Sequence, residues 1–90
     1  MAITFDPEKN ARNIATRGLS FELIAQLDWN TAEVKTDSRR DYGETRLQVL
    51  ALLDGRLHAA VVTPRGEDLR VISLRKANMK EVEFYGQKHR

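Results

Sequence analysis

An Asp54-Gly55 pair between two apolar segments is the feature that most constrains the fold of this chain. The segments Leu47–Leu53 and Leu57–Thr63 flank the pair and are rich in Leu, Val and Ala. An Asp-Gly pair accepts the positive φ angles of a two-residue β-hairpin turn, and it is the strongest hairpin signal in the chain. The sequence therefore predicts two buried antiparallel strands, with the remaining elements arranged around a β-sheet.

Signals before the hairpin predict two N-terminal helices. Asp6 and Pro7 are typical of a helix start, and Gly18 is typical of a helix end. Ser20 is then expected to cap a second, short helix that ends near Asp28. The apolar side chains of this second helix are predicted to be mostly core: Phe21, Leu23, Ile24 and Leu27.

The other signals complete an α+β domain over residues 1–90. Two further strands are predicted over 32–36 and 69–76. The sequence leaves open whether residues 3–5 form a short extra strand. Residues 77–89 are predicted to form a C-terminal helix that packs through Met79 and Val82. We therefore expect a two-layer domain, with a mainly antiparallel sheet of about four strands, two N-terminal helices and one C-terminal helix.

Composition limits the chain to one small domain. Ninety residues, 41% of them hydrophobic and 31% charged, are ordinary for a small globular protein. No apolar run reaches the ~20 residues that a membrane helix needs. The absence of cysteine excludes disulfides and thiolate catalysis, and it fits the reducing cytoplasm in which we expect the protein.

The positive charge is concentrated in the C-terminal part of the chain. Residues 1–55 hold 7 Lys/Arg against 9 Asp/Glu, a balance of −2. Residues 56–90 hold 8 against 4, a balance of +4. An anionic partner is therefore expected to bind the C-terminal part.

No metal and no cofactor are expected. The two histidines, His58 and His89, are far apart in sequence and have no ligand partner at helical spacing. The chain also lacks a glycine-rich phosphate loop and a Gly-x-Ser-x-Gly turn. His58 lies mid-strand among apolar residues and is interpreted as structural.

The last predicted strand has two chemically different faces. Alternation separates its residues into Arg70, Ile72, Leu74 and Lys76, which are expected to face the helices, and Val71, Ser73 and Arg75, which are expected to face away. The guanidinium of Arg75 is suited to holding two phosphate oxygens. A solvated arginine, or one paired with a carboxylate such as Glu44, fits the same pattern. The strand alone leaves both interpretations open.

Five pieces of the sequence, in order and at fitting spacings, resemble the BrnT family of bacterial toxins. They are Phe5-Asp6-Pro7 with Lys9 and Asn13; Arg17-Gly18-Leu19-Ser20-Phe21; Gly43-Glu44-x-Arg46; Arg70-Val71-Ile72-Ser73-Leu74-Arg75-Lys76-Ala77; and Glu81 with Tyr85. Together they cover nearly the whole chain. Arg17 stands where the family more often has histidine, and an arginine, which stays protonated, cannot act as a base there.

The resemblance implies a RelE-like fold and a ribonuclease that arrests translation. The implied reaction needs no metal: the ribose 2′-OH attacks the adjacent phosphate and leaves a 2′,3′-cyclic phosphate. The implied partners are the RNA substrate and a BrnA-like ribbon-helix-helix antitoxin. DNA is contacted only through that antitoxin, and no membrane is involved.

The resemblance and the basic strand together mark nine candidate site residues. Those expected to be catalytic are Arg75, Lys76, Arg70, Glu81 and Tyr85. Those expected to bind substrate are Arg17, Arg65, Ser73 and Lys80. The basic side chains suit the charge of the transition state, and Lys76, Glu81 and Tyr85 are candidates for proton transfer.

A second class of function stays open at this point. A protein of the same fold without nuclease activity would act as a binding module, either as a topoisomerase inhibitor or as a co-repressor with its antitoxin. Arg75 and the Glu81/Tyr85 pair favour the ribonuclease. Arg17 in place of histidine favours the inactive module.

Overall fold

Five strands, two α-helices and two short 3-10 helices make up the computed structural model, which describes residues 2–90. The strands are Ile3–Thr4 (β1), Glu33–Thr36 (β2), Leu47–Leu53 (β3), Arg56–Arg65 (β4) and Asp68–Lys76 (β5). The α-helices are Pro7–Arg17 (α1) and Met79–Lys88 (α2), and the 3-10 helices are Phe21–Gln26 and Trp29–Thr31. The fold is α+β.

The strands form one mixed sheet in the order β1-β5-β4-β3-β2. Neighbours from β2 to β5 pair antiparallel, whereas β1 lies parallel to β5 at one edge, with Ile3 opposite Leu69. The expectation of about four mainly antiparallel strands is therefore wrong. A two-residue strand is too short to show alternation in the sequence, so β1 is defined only by its pairing with β5.

The predicted hairpin is confirmed. Leu53 pairs with Arg56, and the two residues between them have positive φ angles, 51° at Asp54 and 77° at Gly55. Such angles give the turn a twist that matches the flanking strands. The β4 strand is longer than expected, because it continues through Pro64 and Arg65 before the chain turns back into β5.

The second N-terminal helix is not an α-helix, and its prediction is corrected. Its place is taken by the 3-10 helix Phe21–Gln26, which Ser20 caps, and the 3-10 helix Trp29–Thr31, which Asp28 caps, follows it. The buried residues Phe21, Ile24 and Leu27 recur every three residues, which is the period of a 3-10 helix. The chain therefore has two α-helices, α1 near the N-terminus and α2 near the C-terminus.

The main core lies between the sheet and the N-terminal part of the chain. Its fully buried members include Ile24, Val49, Val62, Val71 and Leu74. The α1 helix is attached to this core by amide side chains. Asn13 is buried and donates to Leu19 O at 2.8 Å and to Leu74 O at 3.0 Å, while Asn10 accepts from the Phe21 amide at 2.8 Å.

The α2 helix lies on the other face of the sheet, so the domain has helices on both faces and the two-layer expectation is wrong. Tyr85 is buried there, and its hydroxyl donates to Thr31 O at 3.0 Å. The prediction that α2 packs through Met79 and Val82 is also wrong, because these side chains are 73% and 45% exposed. The stripe that packs contains Glu81 and Tyr85, one helical turn apart.

A β-bulge in β5 changes which residues share a face. Val61 pairs with Ser73 and Val62 pairs with Val71, which leaves Ile72 without a partner on β4. Val71 and Leu74 are therefore both in the main core, and the expected grouping of Ile72 with Leu74 is wrong. Simple alternation assumes an unbroken ladder, which a bulge interrupts.

Candidate nucleic-acid interface

A groove of about 660 Å³ runs over the face of the sheet that carries α2. Two rows of paired residues cross this face: Arg75, Ala59, Leu50 and Glu33 in one, and Ser73, Val61, Gln48 and Lys35 in the other. The floor is thus mostly apolar, with polar or charged ends. One wall is a stripe of α2 formed by Lys80, Phe84 and Lys88, which are spaced by four.

Arg75 is fixed in the groove by Glu81. The Nη1 and Nη2 atoms of Arg75 donate to the two carboxylate oxygens of Glu81 at 2.7 and 3.0 Å, and Nη1 also lies 3.3 Å from Lys76 O. These hydrogen bonds hold the pKa of Glu81 below its ordinary value of 4.5, against the opposing effect of partial burial. They also raise the pKa of Arg75, although the nearby charge of Arg39 acts in the opposite sense.

Part of Arg75 stays available to a ligand. An arginine has five N–H donors, and the three bonds to Glu81 and Lys76 O leave two of them, on Nε and Nη2, without an acceptor among residues 2–90. The Arg75 side chain is 39% exposed. A free guanidinium edge of this kind can bind two phosphate oxygens.

The position of Glu81 follows from the start of α2. Asn78 caps this helix and accepts from the Glu81 amide at 2.9 Å, while the Glu81 carboxylate accepts from the Asn78 amide at 2.9 Å. This reciprocal capping box fixes the first turn of α2. The same carboxylate therefore orients the helix start and the guanidinium of Arg75.

Positive charge dominates the groove. Five cationic side chains line it, against two carboxylates: Lys35, Arg39, Arg75, Lys80 and Lys88 against Glu33 and Glu81. Glu81 is paired with Arg75, and Glu33 lies 3.3 Å from Nε2 of His89. The groove therefore has a net positive charge and is suited to an anionic ligand.

Arg39 is a groove residue that the sequence did not reveal. Its Nε and Nη2 atoms donate to the carboxylate of Asp37 at 2.9 and 2.8 Å, and the Tyr42 hydroxyl donates to the same carboxylate at 3.1 Å. These bonds keep the pKa of Asp37 well below its usual range and raise the pKa of Arg39. The loop 37–43 has no periodicity, and an Asp-x-Arg spacing within it was the only available signal.

Two of the predicted site residues join Arg75 and Glu81 in this groove: Ser73 and Lys80. Ser73 is next but one to Arg75 on β5 and lies in the neighbouring row of the sheet face. The structure thus brings four of the nine predicted residues together. The surroundings of the other five are different.

Lys76 and Arg17 lie in a second, smaller depression of about 230 Å³. Arg75 lines both depressions, so they adjoin at this residue. Tyr85 is buried, and its hydroxyl is engaged with Thr31 O. Its contacts are those of an anchor for α2.

Arg70 and Arg65 lie outside the groove. Arg65 donates to Glu44 at 3.0 Å, which holds the pKa of that carboxylate below its ordinary value. Arg70 lies opposite Thr63 on β4, and the Thr63 hydroxyl is 3.4 Å from Glu44. Glu44, proposed from the sequence as one partner for Arg75, is thus engaged elsewhere.

His58 has structural contacts. Its side chain is 4% exposed, and Nδ1 is 2.8 Å from Arg56 O. Within residues 2–90, no three His, Cys, Asp or Glu side chains converge as a metal site would require. No helix in that range is long and apolar enough to span a membrane.

The fold and the site define a small α+β domain with a cationic groove on one sheet face. The chain belongs to the BrnT family, because the family model described as "Ribonuclease toxin, BrnT, of type II toxin-antitoxin system" matches residues 5–81. The match confirms the resemblance found in the sequence. The family is one of ribonuclease toxins of type II toxin-antitoxin systems, which implies an antitoxin partner. No curated protein matches the chain.

Proposed function

We propose that this toxin is a metal-independent endoribonuclease that uses Arg75 to stabilise the transition state of RNA cleavage. The observation that carries the proposal is the geometry of Arg75. The side chain is held at two atoms by Glu81, yet it keeps a free N–H edge beside a groove with four further cations. A pre-oriented donor of this kind stabilises charge that develops in the reaction without having to reorganise.

The proposed reaction is an attack by the ribose 2′-oxygen on the adjacent phosphorus. The 2′-O–P bond forms while the P–O5′ bond breaks, giving a 2′,3′-cyclic phosphate and a free 5′-OH. A base takes the 2′-OH proton, and an acid gives a proton to the departing 5′-oxygen. Negative charge grows on the non-bridging oxygens, where Arg75 and the hydroxyl of Ser73 would donate.

Three of the other predicted residues receive more specific roles in this proposal. Glu81 acts as a positioning residue, since its carboxylate is occupied by Arg75 and its pKa is lowered. Tyr85 anchors α2 through Thr31 O. Lys80, in the groove, supplies ammonium N–H donors to the phosphate or to the leaving oxygen.

The antitoxin is proposed to be BrnA-like, with a ribbon-helix-helix domain, and to neutralise the toxin by covering the groove. The complex would contact DNA only through that domain, and the free toxin would arrest translation by cutting RNA. The net charge of the groove supports an acidic covering segment.

The test is cleavage of RNA by the purified toxin in excess EDTA. We expect cleavage to persist in the chelator, products that end in a 2′,3′-cyclic phosphate, and no cleavage at a nucleotide whose 2′-OH is methylated. Loss of cleavage in EDTA that returns with a divalent metal would contradict the proposal. Products with a 3′-OH and a 5′-phosphate would contradict it equally.

A further inference from the structure

Phe84 lies between two lysines on the groove side of α2. The residues Lys80, Phe84 and Lys88 follow one another at spacing four, so they form a single stripe along the helix. The Nζ atom of Lys88 is 5.7 Å from the centroid of the Phe84 ring. The Phe84 side chain is 46% exposed and is not part of the main core.

The packing of the domain does not account for this phenylalanine. The stripe of α2 that packs, the buried Tyr85 and the half-buried Glu81, lies beside the Phe84 stripe, and Tyr85 is the aromatic residue that packs. Full burial of a phenylalanine is worth about 1.5–3 kcal/mol relative to exposure, and Phe84 forgoes part of this stabilisation. An apolar ring between two ammonium groups is the combination that single-stranded nucleic acids bind, with bases on the ring and phosphates on the cations.

We infer that Phe84 stacks on an unpaired base of single-stranded RNA, while Lys80 and Lys88 bind the phosphates on either side of it. This inference rests on the proposed function and names its substrate class. A base in a duplex has both faces covered by its neighbours, so only an unpaired base offers a face to the ring. Every base has such a face, so the site discriminates strandedness and tolerates different sequences.

The position of Phe84 relative to Arg75 fits a continuous strand. Phe84 and Arg75 line the same groove, and Glu81, which holds Arg75, lies three residues before Phe84 on α2. A strand whose base stacks on Phe84 therefore runs through the groove in which Arg75 lies. The stacked base orients the strand so that one particular phosphate reaches the guanidinium.

The experiment measures binding separately from cleavage. A short RNA that is 2′-O-methylated throughout cannot be cut by its own 2′-oxygen, and a 2-aminopurine within it loses fluorescence when it stacks on an aromatic ring. This strand and its duplex with a complementary strand are titrated with the wild type, Phe84→Ala, Phe84→Tyr and Val82→Ala. Val82 is the matched control, because it is 45% exposed on the same helix and does not line the groove.

We expect the wild type and Val82→Ala to bind the single strand with quenching and to bind the duplex more weakly. Phe84→Ala should bind the single strand about 5- to 150-fold more weakly, which corresponds to the loss of one base–aromatic stack. Phe84→Tyr should restore both affinity and quenching, because tyrosine offers the same face. Circular dichroism checks that each variant is folded.

Equal affinity of Phe84→Ala and the wild type would overturn the inference, as would equal affinity for single strand and duplex, or no binding at all. Cleavage of unmodified RNA by the wild type is measured in parallel. If the wild type cleaves RNA and Phe84→Ala binds the single strand as tightly as the wild type, only the inferred stacking site is overturned. Phe84-dependent binding without any cleavage supports the stacking site and overturns the proposed ribonuclease mechanism.

Discussion

At the scale of single residues, Asn13 decides how α1 is attached to the sheet. Its amide nitrogen donates to two backbone carbonyls at once, one in the segment after α1 and one in β5. The side chain is only 9% exposed, so water cannot replace these bonds without moving the helix. A buried acceptor that loses its donor costs about 1–3 kcal/mol.

Asn13→Ala should therefore lower the free energy of unfolding by about 2 kcal/mol or more, as measured by urea denaturation, because two carbonyls lose their donor. Lys9→Ala, an exposed position on the same helix, should change it by no more than about 0.5 kcal/mol. If the free energy of unfolding falls equally little in both variants, the attachment of α1 does not depend on Asn13.

Strand alternation predicts the correct sheet face for Arg75 and the wrong one for Arg70, because a bulge interrupts β5 between them. Leu74 and Arg75 are adjacent on the regular part of β5, so alternation correctly places them on opposite faces. Arg70 lies beyond the bulge at Ile72, where the alternation restarts. The partner of Arg75 was unpredictable for another reason: both Glu44 and Glu81 were available, and only the tertiary structure chooses Glu81.

At the scale of elements, glycine has opposite effects on stability in the hairpin turn and in the α2 helix. Gly55 has a φ of 77°, which side-chain-bearing residues adopt at a cost of roughly 1–2 kcal/mol. Gly86 lies within α2, and a Cβ added there meets nothing within 4 Å. In a helix interior, alanine is more stable than glycine by about 0.5–1 kcal/mol.

Gly55→Ala should therefore lower the free energy of unfolding by about 1 kcal/mol, whereas Gly86→Ala should raise it by up to about 1 kcal/mol. The two variants introduce the same methyl group, so each serves as the control for the other in thermal or urea denaturation. If the free energy of unfolding changes in the same direction in both variants, one of the two backbone conformations is not as described.

The hairpin was predictable because its signal is local, within two residues. The 3-10 helices were not, because a capped apolar segment fits both helix types until its packing against the sheet selects a period of three. The face of α2 that packs was also mispredicted. The apolar residues Met79 and Val82 are exposed, while Tyr85 and the Arg75–Glu81 pair hold the helix down.

At the scale of the whole molecule, the groove gathers charge from both halves of the chain. The sequence placed the positive charge after residue 55, yet Lys35 and Arg39 come from the more acidic first half. They line the groove together with three cations of the second half, Arg75, Lys80 and Lys88. Binding of a nucleic acid to such a groove releases counterions from the strand and must weaken with salt.

The affinity for an uncleavable single-stranded RNA should fall with salt, with a slope of about −2 to −3.5 in a plot of log K against log salt. This slope corresponds to three to five phosphates at about −0.7 each. Lys35→Ala should make the slope less negative by about 0.7, and Lys9→Ala, outside the groove, should leave it unchanged. A slope near zero would show that the groove does not bind the phosphate backbone.

The proposed mechanism depends most directly on Arg75, and the rate of RNA cleavage by Arg75→Ala tests it. We expect this variant to cleave about 10²–10³ times more slowly than the wild type, the usual effect of removing one donor to a transition state. Arg12→Ala, an exposed arginine on α1, should cleave at the wild-type rate. Arg75→Ala should stay folded, since its partner Glu81 is partly exposed and keeps its bond to the Asn78 amide. A folded Arg75→Ala that cleaves RNA at the wild-type rate would remove Arg75 from the site and contradict the proposed mechanism.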